Sequence, residues 1–528
     1  MASGRQQIVI VGAGHNGLVA AFYFAKAGYP TLVLERREFV GGTAVTEEIH
    51  PGFRCPTIFH SAAPLLPRIA REMQLDKQGL TNIKPDIRVL ALHPGGQALR
   101  IYNDAERTAS ELSGTSASDG QRYLEFHASF KQLGRAIAPL LSMTPPDVDH
   151  LTISDYFHLG KFGLNFRGLD KKDAYRLLRW GPMAVADLAA EWFETELLRA
   201  AIEARGIFGM FAGPRSAGTS AGLLMQAAID GHAVSPASFV RGGIGALTEA
   251  MAKAATSAGA QIRTRADVAG IRIAGDKVTG VVLANGEEIA ASAVVSGVDP
   301  KQTFLKLIEA TDLQPGFLSK IRAYRSVGTV AKVNLALSRL PSFKAIKNAA
   351  ADLSGRIHIG PDTDYLERAF DAAKYGDFSQ RPFLDVTIPS ITDPSLAPSG
   401  AHVMSIHMQY APYSLKTGDW NSRREELGET VIRTLAEYAQ DIGGLILHRQ
   451  VLTPLDLEQT CGLTGGHIFH GEHALDQLFA FRPLLGWAQY RTPIAGLYLC
   501  GSGTHPGGGL TGAPGANASR EILRDLKL

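Results

Sequence analysis

A chain of 528 residues, 45% of them hydrophobic, is long enough for two large domains with separate cores. Its 53 basic and 51 acidic residues leave a net charge of +2, which provides no basic field and excludes nucleic acid as a partner. No apolar run approaches the roughly 18 residues of a membrane-crossing helix, and the first strand begins by Ile8, so the expectation is a cytoplasmic protein with no signal or transit segment.

The chain opens with a continuous β-branched run, residues 8–11, of the kind that forms a buried parallel strand. Gly12, Ala13, Gly14, His15, Asn16 and Gly17 follow at once; residues 18–27 then read as a helix closed by Gly28, and residues 31–34 as a second strand. In such a unit the first glycine permits the tight turn, the second lets backbone approach a pyrophosphate, and the third lets helix and strand pack closely. Glu35 ends the second strand, where its carboxylate accepts ribose hydroxyls and repels a 2′-phosphate. The reading is a dinucleotide site that disfavours NADP. Arg36, Gly41, Gly42, Thr43 and Ala44 extend the motif.

Further along, residues 123–141 and 173–205 have helical patterns, and residues 113–120 form the clearest flexible loop. Residues 155–180 interleave Phe157, Phe162, Phe166 and Trp180 with Lys161, Arg167, Lys171, Lys172, Arg176 and Arg179. That composition fits peripheral docking on an anionic membrane, and it also fits an ordinary surface helix and loop. At 241–245 a second glycine-rich turn opens a helix through 247–258. A strand at 261–265, then Val268, a hairpin turn at Asn285-Gly286 and a buried strand at 293–296 come next.

Residues 329–337, 383–388 and 402–410 read as strands, and period two sets Lys332 on one face with Val330, Asn334 and Ala336. His467, His470 and His473 have a spacing that invites a metal, but Gly465, Gly466 and Gly471 make the segment a loop, and no metal is expected. Cys55, Cys461 and Cys500 form no close pair, which argues against thiol–disulfide chemistry. Near the end, an apolar strand at 497–500 delivers Gly501 and Ser502, and a final helix begins around Gly512 and Ala513.

Three stretches carry a family resemblance: the extension from Glu35 to Gly41-Gly42, the segment Asp476-Gln477-Leu478-Phe479 with Phe481-Arg482-Pro483, and residues 496–518. They resemble the phytoene-dehydrogenase-related branch of the amine oxidase-like flavoproteins. That branch includes the desaturase-type carotenoid ketolases and the proteins called pyridine nucleotide-disulfide oxidoreductase domain-containing protein 2. The resemblance is strong at both ends and looser in the middle. It implies FAD as cofactor, with Gly501 and Ser502 beside the ribityl and pyrophosphate. It also implies a backbone contact to the adenine at Val268, and a helix N-terminus at Gly512 and Ala513 facing the flavin N1/C2=O edge. The Lys332 strand resembles the amine-oxidase strand whose lysine holds a water against flavin N5, which makes Lys332 the candidate catalytic residue. A solvated strand face accounts for it equally well.

The expected fold class is α/β. A discontinuous Rossmann-like FAD-binding domain (residues 1–75, 236–300 and 470–528) joins a mixed-sheet plus helical substrate or cap domain (76–235 and 301–469). The expected activity is removal of hydride from a carbon of a largely apolar substrate, such as a polyene, an isoprenoid or a lipid-like molecule. Oxygen, a quinone or another carrier is the expected electron acceptor, because no second nucleotide fold is present for a pyridine nucleotide. A flavin amine oxidase and a flavin-stabilised interaction protein with little turnover are the alternatives.

Overall fold

The computed structural model describes residues 7–60, 65–147, 151, 153–234, 238–346 and 349–527. The expected segment limits at 1, 236 and 528 lie outside the described residues.

Two sheets organise the chain. The first has five parallel strands in the order Leu497–Leu499, Ala293–Ser296, Ile8–Val11, Thr31–Leu34 and Gln261–Arg263. Ile8, Val9 and Ile10 have no exposed surface, and each fully buried side chain of this kind contributes about 1.5–3 kcal/mol. Both faces are covered, so the strand is apolar at every position. Helices His15–Lys26, Gly245–Ser257 and Ala513–Asp525 close one face around Ile8, Phe24, Met251 and Ile522. The other face packs Val9, Val11 and Leu34 against the three-stranded ribbon of Val268–Ala274, Lys277–Leu283 and Glu288–Ala290.

The second sheet has seven strands in the order Ile446–Leu452, Val330–Leu337, His402–Gln409, Phe383–Thr387, Arg356–Ile359, Ile87–Leu92 and Ala98–Tyr102. It is mixed, because Arg356–Ile359 runs parallel to Ile87–Leu92 and the other neighbours are antiparallel. Side chains alternate across a strand, and here the alternation separates two chemistries. One face carries Val333, Leu335, Leu384, Val386, Met404 and Ile406, which pack with helix Trp420–Ala436. The opposite face carries Lys332, Asn334, Arg356, Asp385, Ser405 and His407, all buried. The solvated strand face allowed for Lys332 is therefore not present: all eight residues of Val330–Leu337 are buried.

A helical layer lies beyond the polar face. Ala117–Leu141 packs against Ser220–Asp230, Val185–Trp192 and Lys171–Trp180 through a core that includes Phe126, Phe130, Trp180 and Trp192. Two sequence expectations change here. Residues 113–120 are a loop only at 114–116: Ser113 ends helix Ala105–Ser113, and the Ser116 hydroxyl caps the next helix by accepting from Asp119 N at 3.2 Å. Gly120 is buried in that helix, where a Cβ would meet the Ala109 carbonyl oxygen of the preceding helix. The 173–205 pattern divides into Lys171–Trp180, Val185–Trp192 and Glu196–Ile207. The second break has a buried cause, since the Asp119 carboxylate accepts from the amides of Glu194 at 3.0 Å and Thr195 at 2.7 Å.

Candidate active site

The glycine-rich turn after the first strand builds one end of a cleft. Gly12 has φ +93°, and its amide donates to the Leu34 carbonyl at 2.8 Å. A Cβ on Gly17 would collide with the Gly12 carbonyl oxygen, so the residue must be glycine for helix and turn to touch. Glu35 is 6% exposed, and its carboxylate accepts from Ala13 N at 2.9 Å and Arg37 N at 3.0 Å. It therefore fixes the turn as well as facing the cleft.

The cleft has an empty volume of about 1060 Å³. Gly12, Gly14, His15, Asn16 and Gly17 line it together with Glu35, Arg36, Gly42 and Thr43. Val268 and Ser502, distant in sequence, line it too. Asn16 Nδ2 donates to Ser502 Oγ at 3.2 Å, tying the two ends of the chain together. The other six expected residues stand behind the wall. Ala13 bonds Glu35 and accepts from Gly41 N at 2.9 Å, and the Ala44 carbonyl accepts from Thr248 Oγ1 at 2.9 Å. Gly501 packs on the Gly297 carbonyl, while Gly512 and Ala513 begin the final helix beside Ile69 and Val19. Gly509 and Leu510, just before that helix, form the wall instead.

This donor and acceptor set fits FAD. Asn16 Oδ1 and His470 Nδ1 are buried without hydrogen-bond partners among the described residues, and both residues line the cleft. The backbone at Gly14 leaves room for a phosphate where a side chain would project. Burial, with His470 nearby, pushes the His15 imidazole down to about 3, so the ring is neutral and offers one donor and one acceptor.

A second cavity adjoins the first and has an empty volume of about 1110 Å³. Phe59, Gly509 and Leu510 line both, so the two spaces meet there. Its walls are mostly apolar, with Phe208, Met210, Met225, Ile229, Phe469 and Leu478. The polar face of the seven-stranded sheet supplies the rest. Cross-strand register sets Lys332 opposite His407, and His407 opposite Asp385. His407 Nε2 bonds the Ile58 carbonyl at 2.7 Å, and Ser405 Oγ donates to the Pro56 carbonyl at 3.0 Å. These bonds hold the strand-to-cavity segment that carries Phe59 and His60.

Lys332 lines neither cavity. Its Nζ donates to Ser405 Oγ at 2.7 Å and lies 3.0 Å from Nδ1 of His60, which does line the substrate-side cavity. Burial drives the amine well below its ordinary value, which favours its uncharged form. His60 and His407 are likewise held well below theirs, by burial first and then by Lys332.

The three histidines singled out by spacing do not converge. His467 Nδ1 accepts from Phe469 N at 3.2 Å, His473 Nε2 accepts from Gly508 N at 3.1 Å, and His470 lines the cleft. A different trio, His60, Asp385 and His407, brings its ligand atoms within 4.8 Å of one another. Asp385 there already accepts from Arg356 Nε at 3.1 Å and Arg205 Nη1 at 3.3 Å, and two guanidinium charges oppose a bound cation.

Phe59, His60, Arg205, Arg356 and His407 were not marked by any sequence motif. The available signal was polar residues at alternate positions in the strands RIHI, FLDVT and HVMSIHMQ. In the 155–180 segment, helix Ile153–Arg167 exposes Ile153, Tyr156, Phe157 and Leu164, and Tyr175 and Leu178 are exposed on the next helix. Trp180 is buried. The side chains of Lys161 and Phe162 lie outside the described residues. Lys172 and Arg176 pair with Glu125, and Arg179 with Glu191, so much of the local basic charge is already neutralised.

The sequence profile described as "Flavin containing amine oxidoreductase" matches residues 17–519. The chain is 38% identical to pyridine nucleotide-disulfide oxidoreductase domain-containing protein 2 of Rattus norvegicus, over 98% of this chain and 93% of that protein. It is 27% identical to one component of the limonene dehydrogenase of Castellaniella defragrans, over 99% of this chain and 95% of that one. A solved oxidoreductase from Methanosarcina mazei has the same fold, with a TM-score of 0.59 at 16% identity over 98% of this chain and 100% of that chain. Among the described residues no helix is long and apolar enough to cross a membrane. With the cleft, its FAD-compatible groups and these matches together, the chain belongs to the flavin containing amine oxidoreductase family, and its cofactor is FAD.

Proposed function

We propose that this flavin-containing oxidoreductase removes a hydride from a carbon of a largely apolar substrate, as a desaturase or dehydrogenase. The observation that carries the reading is the apolar cavity of about 1110 Å³ meeting the cofactor cleft at Phe59, Gly509 and Leu510. FAD supplies the hydride acceptor when bound. The chain's own residues position the donor carbon and keep water out: Phe208, Met225, Ile229 and Phe469 exclude solvent, and Phe59 orders the boundary between the two spaces. His60 stands on the cavity wall with Lys332 behind it and can hold or move a proton at Nε2, which has no hydrogen-bond partner among the described residues. The relative named for limonene dehydrogenase supports a hydrocarbon-like substrate.

Anaerobic mixing of the FAD-loaded protein with isoprenoids, polyenes and fatty compounds tests this reading through bleaching of the yellow flavin band. Bleaching by these and not by simple amines is the expected result. Bleaching only by amines, with hydrogen peroxide released in air, would replace it with amine oxidation, the activity in the family's name. Contact of Ile153, Tyr156, Phe157 and Leu164 with a lipid surface would bring such a substrate to the protein. Vesicle flotation checks this, and protein left at the bottom of the gradient removes the lipid surface from the reading.

A further inference from the structure

Arg482, from the segment Phe481-Arg482-Pro483, has no exposed surface. Its guanidinium donates to the carbonyls of Glu472 at 2.7 Å, Ser502 at 2.8 Å, Phe469 at 3.0 Å, and Gly471 and Gln477 at 3.3 Å. No carboxylate among the described residues bonds it. The Glu472 carboxylate takes Arg325 Nε at 2.7 Å instead, and Asp299 accepts from Gln302 N at 2.9 Å and Thr464 N at 3.0 Å. The phenol of Tyr324 does act on Arg482, but burial pushes that phenol up, which favours its neutral form. A cation surrounded by carbonyl dipoles in a dry interior has a field that water screens little.

That field falls on the junction where chemistry must occur. Ser502 and His470 line the cofactor cleft, Phe469 and His473 line the substrate-side cavity, and a hydride can pass only where the two spaces meet. The effect of Arg482 is visible on both sides. Burial first, and then Arg482, hold His470 down to about 4 and His473 well below its ordinary value, which favours neutral rings and leaves the guanidinium as the cation beside them. We propose that Arg482 tunes the flavin, its buried charge raising the reduction potential of FAD by stabilising the negative charge that arrives with a hydride. In that step a C–H bond of the donor breaks, its hydrogen and electron pair pass to FAD, and the donor is left one charge more positive. The role goes beyond the substrate reading above, because it holds for an apolar carbon donor and for an amine alike.

The test is spectroelectrochemical titration of the FAD-loaded protein and its variants, with free FAD in the same buffer. Arg482→Gln keeps a hydrogen-bond donor and loses the charge. It should lower the potential by about 30–60 mV, a 10- to 100-fold change in a two-electron equilibrium. Arg482→Lys keeps the charge and loses the fork, so its potential should stay within about 15 mV of the native one, roughly threefold in that equilibrium. A residue that only staples the loop gives a different pattern: both variants melt earlier and both keep the native potential. An Arg482→Gln potential no lower than the native value overturns the proposal, and so does an Arg482→Lys potential that falls as far as that of Arg482→Gln. Should neither variant retain FAD, the native protein decides, and a potential at or below that of free FAD overturns the proposal. No organic donor enters the titration, so its outcome is separate from that of the bleaching experiment.

Discussion

Glu35 shows how one side chain can serve the turn and the ligand together. Its two oxygens take the amides of Ala13 and Arg37 and still face the cleft. Glu35→Gln loses one of these acceptors and the negative charge, so FAD should bind about 10- to 100-fold more weakly, a loss of about 1.5–3 kcal/mol. Equilibrium dialysis measures it, and an unchanged affinity would remove Glu35 from the ribose contact. Lys332 works at one remove, through His60. Lys332→Met should leave FAD bound while slowing flavin reduction or reoxidation about tenfold, the scale of one lost hydrogen bond. Stopped-flow traces of both half-reactions check it, and Lys332→Arg should not rescue, because a permanent charge is wrong for that buried position.

Among the elements, the helix His15–Lys26 and the final helix Ala513–Asp525 approach closely, where a Cβ on Gly515 would collide with the Asn16 carbonyl. Gly515→Ala should therefore lower stability by about 1–3 kcal/mol and loosen FAD, which thermal melts with and without added FAD will register. The nucleotide unit was legible because its logic is local: strand, glycine turn, helix and acid follow one another within residues 8–35. The strands at 329–337, 383–388 and 402–410 were legible as strands for the same reason, their period of two. Their partners were not. Lys332, His407 and Asp385 stand side by side only because strands far apart in sequence pair in one register, and no local pattern encodes that pairing. The 113–120 segment misled because glycine and serine are turn-formers by composition, whereas here they cap one helix and let it lie against another.

For the molecule as a whole, the buried histidines set its response to acid. Burial holds His15 and His467 at about 3 and His358, His470 and His505 at about 4. Unfolded, each regains an ordinary value near 6.5, so the unfolded chain binds more protons as pH falls below that point. Stability from these groups is complete above about pH 6.5 and is lost as pH falls toward their folded values, by up to about 1.4 kcal/mol per histidine per pH unit. Thermal midpoints of the FAD-loaded protein should drop steeply between about pH 6.5 and pH 5, and a flat profile would contradict the burial of these rings. The five-stranded sheet has one more consequence, in time rather than space. Its central strand, Ile8–Val11, is made long before its edge strand, Leu497–Leu499. The cradle for the yellow cofactor therefore cannot close until that edge strand has left the ribosome, and a stop before it would release a chain with its cradle missing a side.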